Sequence, residues 1–483
     1  MQTQQQVSPQ LIAEIAKEVV ARLRMQMQAA PVAQAPKNSV THDGVFATVD
    51  EAVNAAYEAQ KKVAAMPLDD RKRIVEIICR ICNDRREELG RMELEETKVG
   101  RLDHKILKLT NMRFVLGVDA LHTEARSNTT GLCIIEHAPW GVIGMMLPVT
   151  HSVPTMASNA INIVAAGNTA VFGPHPSGAK VAQYALQLWN HEIVRELGVA
   201  NVFTTTVEPT IEAAEQIFHH PKVALLCCTG GAAVAQAAAK TGKRVIAGGP
   251  GNPPVVVDET ADLDRAARCI IDGAAFDNNL LCIGEKEVFV VASVADAFIA
   301  AMKRAGAYQL DAAAIDRLTK AAFTFEGGGG GCARAHVKKD LVGKDVAVLA
   351  KAAGVQAPAG TDLLFGETDE NHAFVQEEQM MPFVPIVRVK CADAAIAAAV
   401  RAEHGYRHTA IIHTNNLETA TRMARAMNTT LFIHNAASPA SLGVGGPGYF
   451  SHTVATPTGE GITTPLTFTR ERQIVVGNAL RII

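Results

Sequence analysis

Apolar runs of strand length alternate with Ala-rich amphipathic stretches from about residue 45 onward. The runs that predict strands are GVIGMMLP (141–148), TAVFG (169–173), VALLCC (223–228), RVIAG (244–248) and PPVVVD (253–258). Between them, helical periodicity predicts helices over 176–196, 209–219 and 232–241. Strands separated by helices predict a parallel α/β architecture. A second such series from about 262 to 435 predicts a second α/β domain.

The first thirty residues have a different pattern. Residues 8–27, SPQLIAEIAKEVVARLRMQM, predict an amphipathic helix in which Leu11, Ile15, Val19 and Leu23 recur every four residues. The Ala/Pro/Gln-rich stretch AAPVAQAPKNS follows and is typical of a tether. This helix docks on its own domain, is lost to disorder, or acts as a targeting peptide that lies in a partner's groove. A membrane-surface helix is disfavoured because its charges are mixed and its apolar side lacks Trp and Phe.

Composition narrows the function classes. The chain has 483 residues, 48% of them hydrophobic, with a net charge of −3 and only two Trp and five Tyr, so neither a basic face nor base-stacking aromatics indicate a nucleic-acid partner. No apolar run reaches the roughly 20 residues of a membrane span. Nine cysteines without a secretory signal predict a reducing cytosol. The Cys79–Cys82 pair lies in a helical pattern, and a buried helix face is favoured over metal or redox chemistry.

Three glycine-rich stretches compete as a phosphate-binding loop. GVGGPG (443–448) matches GxGxxG, but no helical pattern follows it, so we interpret the match as accidental. EGGGGGCAR (326–334) predicts a mobile loop with an incidental Cys332. LLCCTGGAAVAQAAAK (225–240) is the best candidate, because a strand ends at Thr229-Gly230-Gly231 and a helix begins at once, which lets backbone N–H groups approach a pyrophosphate.

One cysteine raises a question of chemistry. In FDNNLLCIGEK (276–286), Cys282 follows a polar run that predicts flexibility, and it is either a buried small hydrophobe or a nucleophile that the fold presents. Glu285, Lys286 and Glu287 predict a solvated stretch. His404 and His408 have i,i+4 spacing, but a turn is predicted there, so structural hydrogen bonding is favoured over a metal. Cys227 and Cys228 lie in a strand and are interpreted as structural.

These segments together resemble the aldehyde dehydrogenase superfamily over nearly all of residues 45–475. Four features carry the resemblance and occur in the order found in that superfamily: the TGG turn at 229–231, AGGPGNPPVVVD (247–258), the position of Cys282 and EEQMMPFVPIVRV (377–389). The likeness is greatest to the CoA-acylating branch, the propionaldehyde and acetaldehyde dehydrogenases of bacterial microcompartments. Four segments carry that likeness: EHAPWGVIGMMLPVTHSVPT (136–155), FGPHPSGAK (172–180), EHGYRHTAIIHT (403–414) and ATPTGEGITTPLTFTR (455–470).

The resemblance implies a fold and a domain order. It implies a Rossmann-like NAD-binding domain over 45–246, to which 436–465 returns, and an α/β catalytic domain over 247–435. A strand in 466–483 would form a small β extension that joins subunits into a homo-oligomer. Residues 1–30 would be an encapsulation helix that binds a microcompartment shell protein, with 31–44 as its linker. The expected location is the cytoplasm, inside such a compartment.

The resemblance also implies site residues. Cys282 would be the nucleophile, and the cofactor would contact Glu378 together with Thr229, Gly230, Gly231, Gly173, Pro174, His175, Gly248 and Gly249. No metal is expected. Gly173 replaces the family's Lys at the adenosine ribose, which leaves NAD and NADP open. The usual oxyanion Asn is replaced by Thr150, with His151 and Asn159 as alternatives.

One departure from the family's pattern bears on the reaction. Hydrolytic members carry a Glu two residues before the Gly248-Gly249 pair, and that position is Ile246, which cannot accept a proton. The implied activity is therefore the oxidation of a short-chain aldehyde by NAD, with coenzyme A resolving the acyl-thioester on Cys282. A hydrolytic aldehyde dehydrogenase is the enzymatic alternative. A non-catalytic compartment scaffold is the alternative of another class.

Overall fold

The computed structural model describes residues 43–326 and 334–480, and its strands and helices largely alternate from residue 142 to residue 434. The strands are β1 (Val45–Phe46), β2 (Glu124–Asn128), β3 (Gly131–Pro139), β4 (Val142–Met146), β5 (Thr169–Gly173), β6 (Phe203–Thr206), β7 (Val223–Thr229), β8 (Arg244–Gly248), β9 (Pro254–Val257), β10 (Glu287–Val291), β11 (Tyr308–Gln309), β12 (Phe323–Glu326), β13 (Arg334–Val337), β14 (Leu364–Glu367), β15 (Phe383–Val389), β16 (Thr409–His413), β17 (Leu431–His434), β18 (Val454–Ala455), β19 (Gly461–Ile462) and β20 (Thr469–Gly477). The helices are α1 (Val49–Ala65), α2 (Leu68–Asp84), α3 (Arg86–Thr97), α4 (Leu102–Thr110), α5 (Ser152–Ala165), α6 (Ala179–Leu197), α7 (Ile211–His219), α8 (Ala232–Ala239), α9 (Leu263–Ala274), α10 (Ala292–Arg304), α11 (Ala312–Ala322), α12 (Val346–Ala352), α13 (Ala373–Gln376), α14 (Ala392–Ala402) and α15 (Leu417–Met427).

The first sheet has six parallel strands in the order β1-β6-β5-β4-β7-β8. Its central strand β4 is buried along its whole length, as expected for a parallel sheet covered by helices on both faces. All five strands and all three helices predicted from apolar runs and helical periodicity are confirmed. Strand β8 ends at Gly248, two residues beyond the 246/247 boundary expected between the two domains.

The second sheet has seven parallel strands in the order β11-β14-β15-β10-β9-β16-β17. The chain leaves β8 of the first sheet and enters β9 of the second through residues 249–253. Ligands of open parallel sheets bind outside the carboxyl ends of the strands. The connection after β8 therefore lies at such an edge of the first sheet.

A smaller antiparallel sheet pairs β20 with β3 and β3 with β2. Strand β20 confirms the strand expected near the C-terminus. It pairs with β3 over nine residues, from Thr469 to Gly477. Two of its apolar side chains, Ile474 and Val475, are 50% and 73% exposed. An exposed apolar strand of this kind is available to a partner surface.

Several other sequence predictions are decided by the fold. Cys79 and Cys82 lie on helix α2, where Cys82 is buried, so the predicted buried helix face is confirmed. No helix follows GVGGPG in the described chain, whose next element is β18. The targeting helix, most of its linker and the glycines and Cys332 of the 326–334 loop lie outside the described residues. Among the described helices, none is long and apolar enough to cross a bilayer.

Candidate active site

The segment before Cys282 is a buried left-handed turn. Helix α9 begins after Asp262, which caps it by accepting from the Arg265 N–H at 3.0 Å, and it ends at Ala274. Three consecutive residues, Asp277, Asn278 and Asn279, then have φ angles of +49°, +57° and +66°. Asp and Asn tolerate this conformation better than other non-glycine residues do.

Each of the three turn residues is buried and held by its side chain. The Asp277 carboxylate accepts from the Arg101 N–H at 2.7 Å and from the Lys108 ammonium. Asn278 donates to the Gly343 carbonyl at 3.0 Å, and Asn279 donates to the carbonyls of Ala274 and Glu285 at 2.8 and 3.0 Å. The prediction of a flexible run was therefore wrong, because these polar groups replace water by protein partners.

The Cys282 side chain is half-buried at the end of this turn. Burial, together with the negative charge of Glu378, raises the pKa of its thiol to about 12, although the Lys286 charge lowers it. The backbone N–H groups of Cys282 and Ile283 also lower the thiol pKa. The thiol is thus neutral in this environment, and these two N–H groups and the Lys286 charge favour its anion.

The three residues predicted to form a solvated stretch are instead fully buried, and that prediction was wrong. Glu285 accepts from the backbone N–H and hydroxyl of Ser438, each at 2.8 Å, and burial raises its pKa to about 7. Lys286 turns into the Cys282 loop. Glu287 begins β10, and burial raises its pKa well above the ordinary value. The alternation of charges indicated solvent, but tertiary packing covers all three side chains.

Glu378 lies close to the thiol. Its carboxylate accepts a hydrogen bond from the Gly251 N–H, and burial raises its pKa to about 6 while the Lys286 charge lowers it. A methyl group built on Gly251 would lie 2.7 Å from the Cys282 carbonyl oxygen and 2.9 Å from Cγ of His408. Gly251 therefore permits a close approach between the connection after β8, the nucleophile loop and the His408 ring.

His408 is the residue that sequence reasoning missed. Its Nδ1 is 2.8 Å from the Thr409 hydroxyl, while Nε2 is buried and has no hydrogen-bond partner among the described residues. Burial lowers its pKa to about 4, so the ring is neutral. His404 instead contacts the Gln376 carbonyl at 2.8 Å through Nε2, which confirms its structural hydrogen bond. Their i,i+4 spacing suited a metal, the residues between them predicted a turn, and no local pattern placed His408 beside Cys282.

Of the three candidate oxyanion donors, two are occupied elsewhere. His151 is 2.7 Å from the Lys108 ammonium through Nδ1 and 3.2 Å from the Leu280 carbonyl through Nε2. Asn159 donates to the Thr155 carbonyl and the Thr453 hydroxyl, both at 2.9 Å. Thr150 is half-buried at the turn that follows β4 and precedes α5. The geometry leaves Thr150 as the candidate side chain, with the Cys282 N–H as the backbone donor.

The turn predicted to bind phosphate has the expected geometry. Strand β7 ends at Thr229, Gly231 caps helix α8, and a Cβ atom added at Gly230 or Gly231 would meet nothing within 4 Å. The strand, turn and helix predicted here are confirmed. The open space at both glycines fits a group that approaches the backbone and the helix N-terminus.

The remaining cofactor candidates lie at the same edge of the sheet. Gly173 ends β5, and a Cβ there would lie 2.6 Å from the Met146 sulfur. Pro174 follows it, and His175 accepts from the Ser177 N–H at 3.1 Å. Gly248 ends β8, and a Cβ on Gly249 would lie 2.7 Å from Pro457. These residues surround the carboxyl ends of β5, β7 and β8.

Comparison with known proteins identifies the family. A sequence model of the aldehyde dehydrogenase family matches residues 26–314. The acetylating acetaldehyde dehydrogenase EutE of Salmonella typhimurium is 41% identical over 479 residues, which cover 99% of this chain and all of that protein. The chain belongs to the aldehyde dehydrogenase family.

Solved structures of aldehyde dehydrogenases have the same fold. A propionaldehyde dehydrogenase from a fucose-utilisation microcompartment of Clostridium phytofermentans is 38% identical, with a TM-score of 0.88 over 91% of this chain and all of the other. A Rhodopseudomonas palustris propionaldehyde dehydrogenase, solved with bound CoA and an acylated cysteine, is 40% identical, with a TM-score of 0.88 over 92% of this chain and all of the other. The aldehyde dehydrogenase fold expected from the sequence is confirmed.

The main chemical difference between this chain and the pattern of hydrolytic aldehyde dehydrogenases is at Ile246. Its side chain is fully buried in β8, where the residue pairs with Cys227 of β7. An aliphatic side chain has no lone pair that could take a proton from water. The position at which the sequence resemblance places the general base of hydrolytic members therefore holds no proton acceptor in this chain.

Proposed function

We propose that this chain oxidises a short-chain aldehyde to its acyl-CoA, with Cys282 as the nucleophile and NAD or NADP as the hydride acceptor. The observation that carries the proposal is the convergence of Cys282, Glu378 and His408 around Gly251, while the water-activating position is occupied by Ile246. The cofactor would be held by the turn Thr229–Gly231 and by the neighbouring strand ends Gly173–His175 and Gly248–Gly249. Glu378 would face the nicotinamide end of the cofactor.

The first half of the reaction builds an acyl group on Cys282. Its thiol releases a proton to solvent, and the sulfur attacks the aldehyde carbon, so that the carbonyl oxygen becomes an oxyanion. The Cys282 N–H and the Thr150 hydroxyl are the donors for this oxygen, and each such donor contributes roughly 3–4 kcal/mol. The nicotinamide cofactor, when bound, supplies the acceptor for the hydride that the carbon loses. Cys282 then carries the acyl group as a thioester.

The second half of the reaction transfers that acyl group to coenzyme A. The CoA thiol gives up its proton, its sulfur bonds to the acyl carbon, and the Cys282 thiolate leaves. His408 is neutral and its Nε2 is without a partner in the described chain, so it is the candidate acceptor for that proton. Water competes poorly, because it is a weaker nucleophile than a thiol and Ile246 supplies no base.

Two further proposals concern location and assembly. The relative from Clostridium phytofermentans comes from a microcompartment, and the amphipathic pattern of residues 8–27 supports an encapsulation helix in residues 1–30 that binds a shell protein. The exposed apolar side chains of β20 support subunit contacts through the small antiparallel sheet. The chain would then work as a homo-oligomer inside a compartment.

The reaction is tested by NADH formation from propionaldehyde and NAD, with and without CoA. Turnover should require CoA in the parent and vanish in Cys282→Ala. The matched control is Cys391→Ala, which removes an exposed cysteine at the start of α14 and should behave as the parent does. CoA-independent turnover with release of the free acid would favour the hydrolytic alternative. Turnover that persists in Cys282→Ala would refute the nucleophile.

A further inference from the structure

Lys286 is a fully buried residue whose side-chain hydrogen bonds all go to the nucleophile loop. Its ammonium donates to the Asn279 carbonyl at 2.9 Å, to the Leu281 carbonyl at 3.2 Å and to the Asn279 side-chain oxygen. An ammonium has three N–H donors, whereas a neutral amine has two. The three acceptors therefore match the three N–H donors of the charged form of Lys286.

The Leu281 carbonyl is one end of the peptide group that precedes the nucleophile. The other end of that peptide is the Cys282 N–H, the backbone donor proposed for the substrate oxygen, and this N–H also lowers the pKa of the Cys282 thiol. A cation on the carbonyl oxygen withdraws electron density through the peptide and makes its N–H a stronger donor, because linked hydrogen bonds polarise one another. The same carbonyl also accepts from the Gly284 N–H at 3.0 Å, which fixes the orientation of the peptide.

We propose that Lys286 is a positioning residue that polarises the Leu281–Cys282 peptide, so that its N–H stabilises the negative charge on sulfur and then on the substrate oxygen. The inference rests on the proposed function of Cys282 and deepens it. Lys286 touches neither substrate nor cofactor in this proposal. It acts through the backbone, and its own backbone N–H is held by the Pro253 carbonyl at 3.1 Å.

Other ionisable groups around Lys286 determine how replacing this residue changes the pH dependence of the Cys282 thiol. Burial lowers the pKa of Lys286, and the acidic neighbours Glu378, Glu287 and Glu285 each oppose this effect. Burial and the Lys286 charge together lower the pKa of His408 to about 4, so this ring is neutral. Cys282 itself also favours the ammonium. Neutralising Lys286 thus removes a cation that lowers the thiol pKa and leaves Glu378, which raises it.

The test measures alkylation of Cys282 by iodoacetamide as a function of pH, with the modified peptide resolved by mass spectrometry. In Lys286→Met, alkylation at any pH below the midpoint should slow by about tenfold or more, since each pKa unit is tenfold in thiolate. Lys286→Arg keeps the charge and should stay within roughly threefold of the parent. Glu285→Gln is the matched control, because it alters the neighbouring buried side chain and leaves the Leu281 carbonyl untouched.

A folded Lys286→Met protein that alkylates at the parental rate would overturn the inference. So would an Arg variant that slows as much as the Met variant, because geometry rather than charge would then matter. If the Met variant does not fold, Lys286→Gln replaces it, since an amide can donate to the same carbonyls without a charge, and the same slowing is expected. Loss of activity in Cys282→Ala with unchanged alkylation in the Lys286 variants would refute this inference alone and leave the proposed nucleophile standing.

Discussion

The carboxylate of Glu378 accepts a hydrogen bond from the backbone N–H of Gly251. This contact joins the segment that precedes β15 to the connection between the two parallel sheets. The Gly251 backbone also lies so close to the Cys282 carbonyl and the His408 ring that a Cβ atom there would be within 3 Å of both. Four segments that are distant in the chain therefore meet at one glycine, and the geometry of the site depends on it.

Gly251→Ala should lower kcat/KM by about tenfold to a hundredfold while the protein still folds. The added methyl would lie within 3 Å of the Cys282 backbone and the His408 ring, so one of them must move, and small misplacements at a reacting centre are costly. Steady-state kinetics and circular dichroism measure the two effects. Gly477→Ala is the control, because a methyl there meets nothing within 4 Å. Parental kcat/KM in Gly251→Ala would contradict the close packing.

His408→Ala should retain the first burst of NADH and slow the CoA-dependent step by about 10²–10⁴-fold, the usual contribution of a general base. Stopped-flow absorbance separates the burst from the following turnover. His404→Ala removes the neighbouring histidine, whose Nε2 only contacts the Gln376 carbonyl, and should leave both phases unchanged. A lost burst in His408→Ala would place this residue in hydride transfer or folding instead.

Glu285 should make the stability of the fold depend on pH. Its pKa is about 7 in the fold against 4.5 when exposed, so the folded state binds more protons between these values. The free energy of unfolding should therefore fall as pH rises from about 4.5 to about 7, by at most about 1.4 kcal/mol per pH unit from this group. Glu285→Gln should flatten that slope in urea denaturation series. An unchanged slope would mean that Glu285 is ionised in the fold.

Val475→Lys should weaken the proposed oligomer. Val475 is 73% exposed on β20, and a lysine there would place a charge in an apolar subunit contact. Light scattering after size exclusion gives the mass. Leu417→Lys alters an equally prominent apolar residue, 71% exposed at the start of α15, and should leave the mass unchanged. Equal masses for the parent and Val475→Lys would remove β20 from the interface.

Deletion of residues 1–30 should leave specific activity intact and abolish co-purification with a microcompartment shell. The amphipathic stripe of residues 8–27 supports this outcome, because its apolar face needs a partner. Pull-down from cells that make both proteins, followed by the NADH assay, gives both readouts. Replacing Leu11 and Ile15 by Glu in the full chain offers a milder variant with the same expected loss of shell binding. Unchanged co-purification would end the targeting proposal.

The sequence by itself determined the elements and the family. Apolar runs predicted four of the six strands of the first sheet, β4, β5, β7 and β8, within two residues at each end, because a buried parallel strand needs a continuous apolar segment. The short strands β1 and β6 were not predicted. The order of four motifs indicated the aldehyde dehydrogenase family, Cys282 as nucleophile and Ile246 in place of the base. These features depend on residues that are neighbours in the chain, so short segments of the sequence are enough to predict them.

Only the tertiary structure decided the environment of the nucleophile. Asp277–Asn279 and Glu285–Glu287 are polar, and polar segments usually face water, yet all six are buried because distant carbonyls, cations and N–H groups satisfy them. His408 joins Cys282 through Gly251 across more than a hundred residues of chain, and no periodicity records such a contact. Burial and long-range hydrogen bonding depend on how the two sheets pack, which is why the chemistry around Cys282 had to come from the fold.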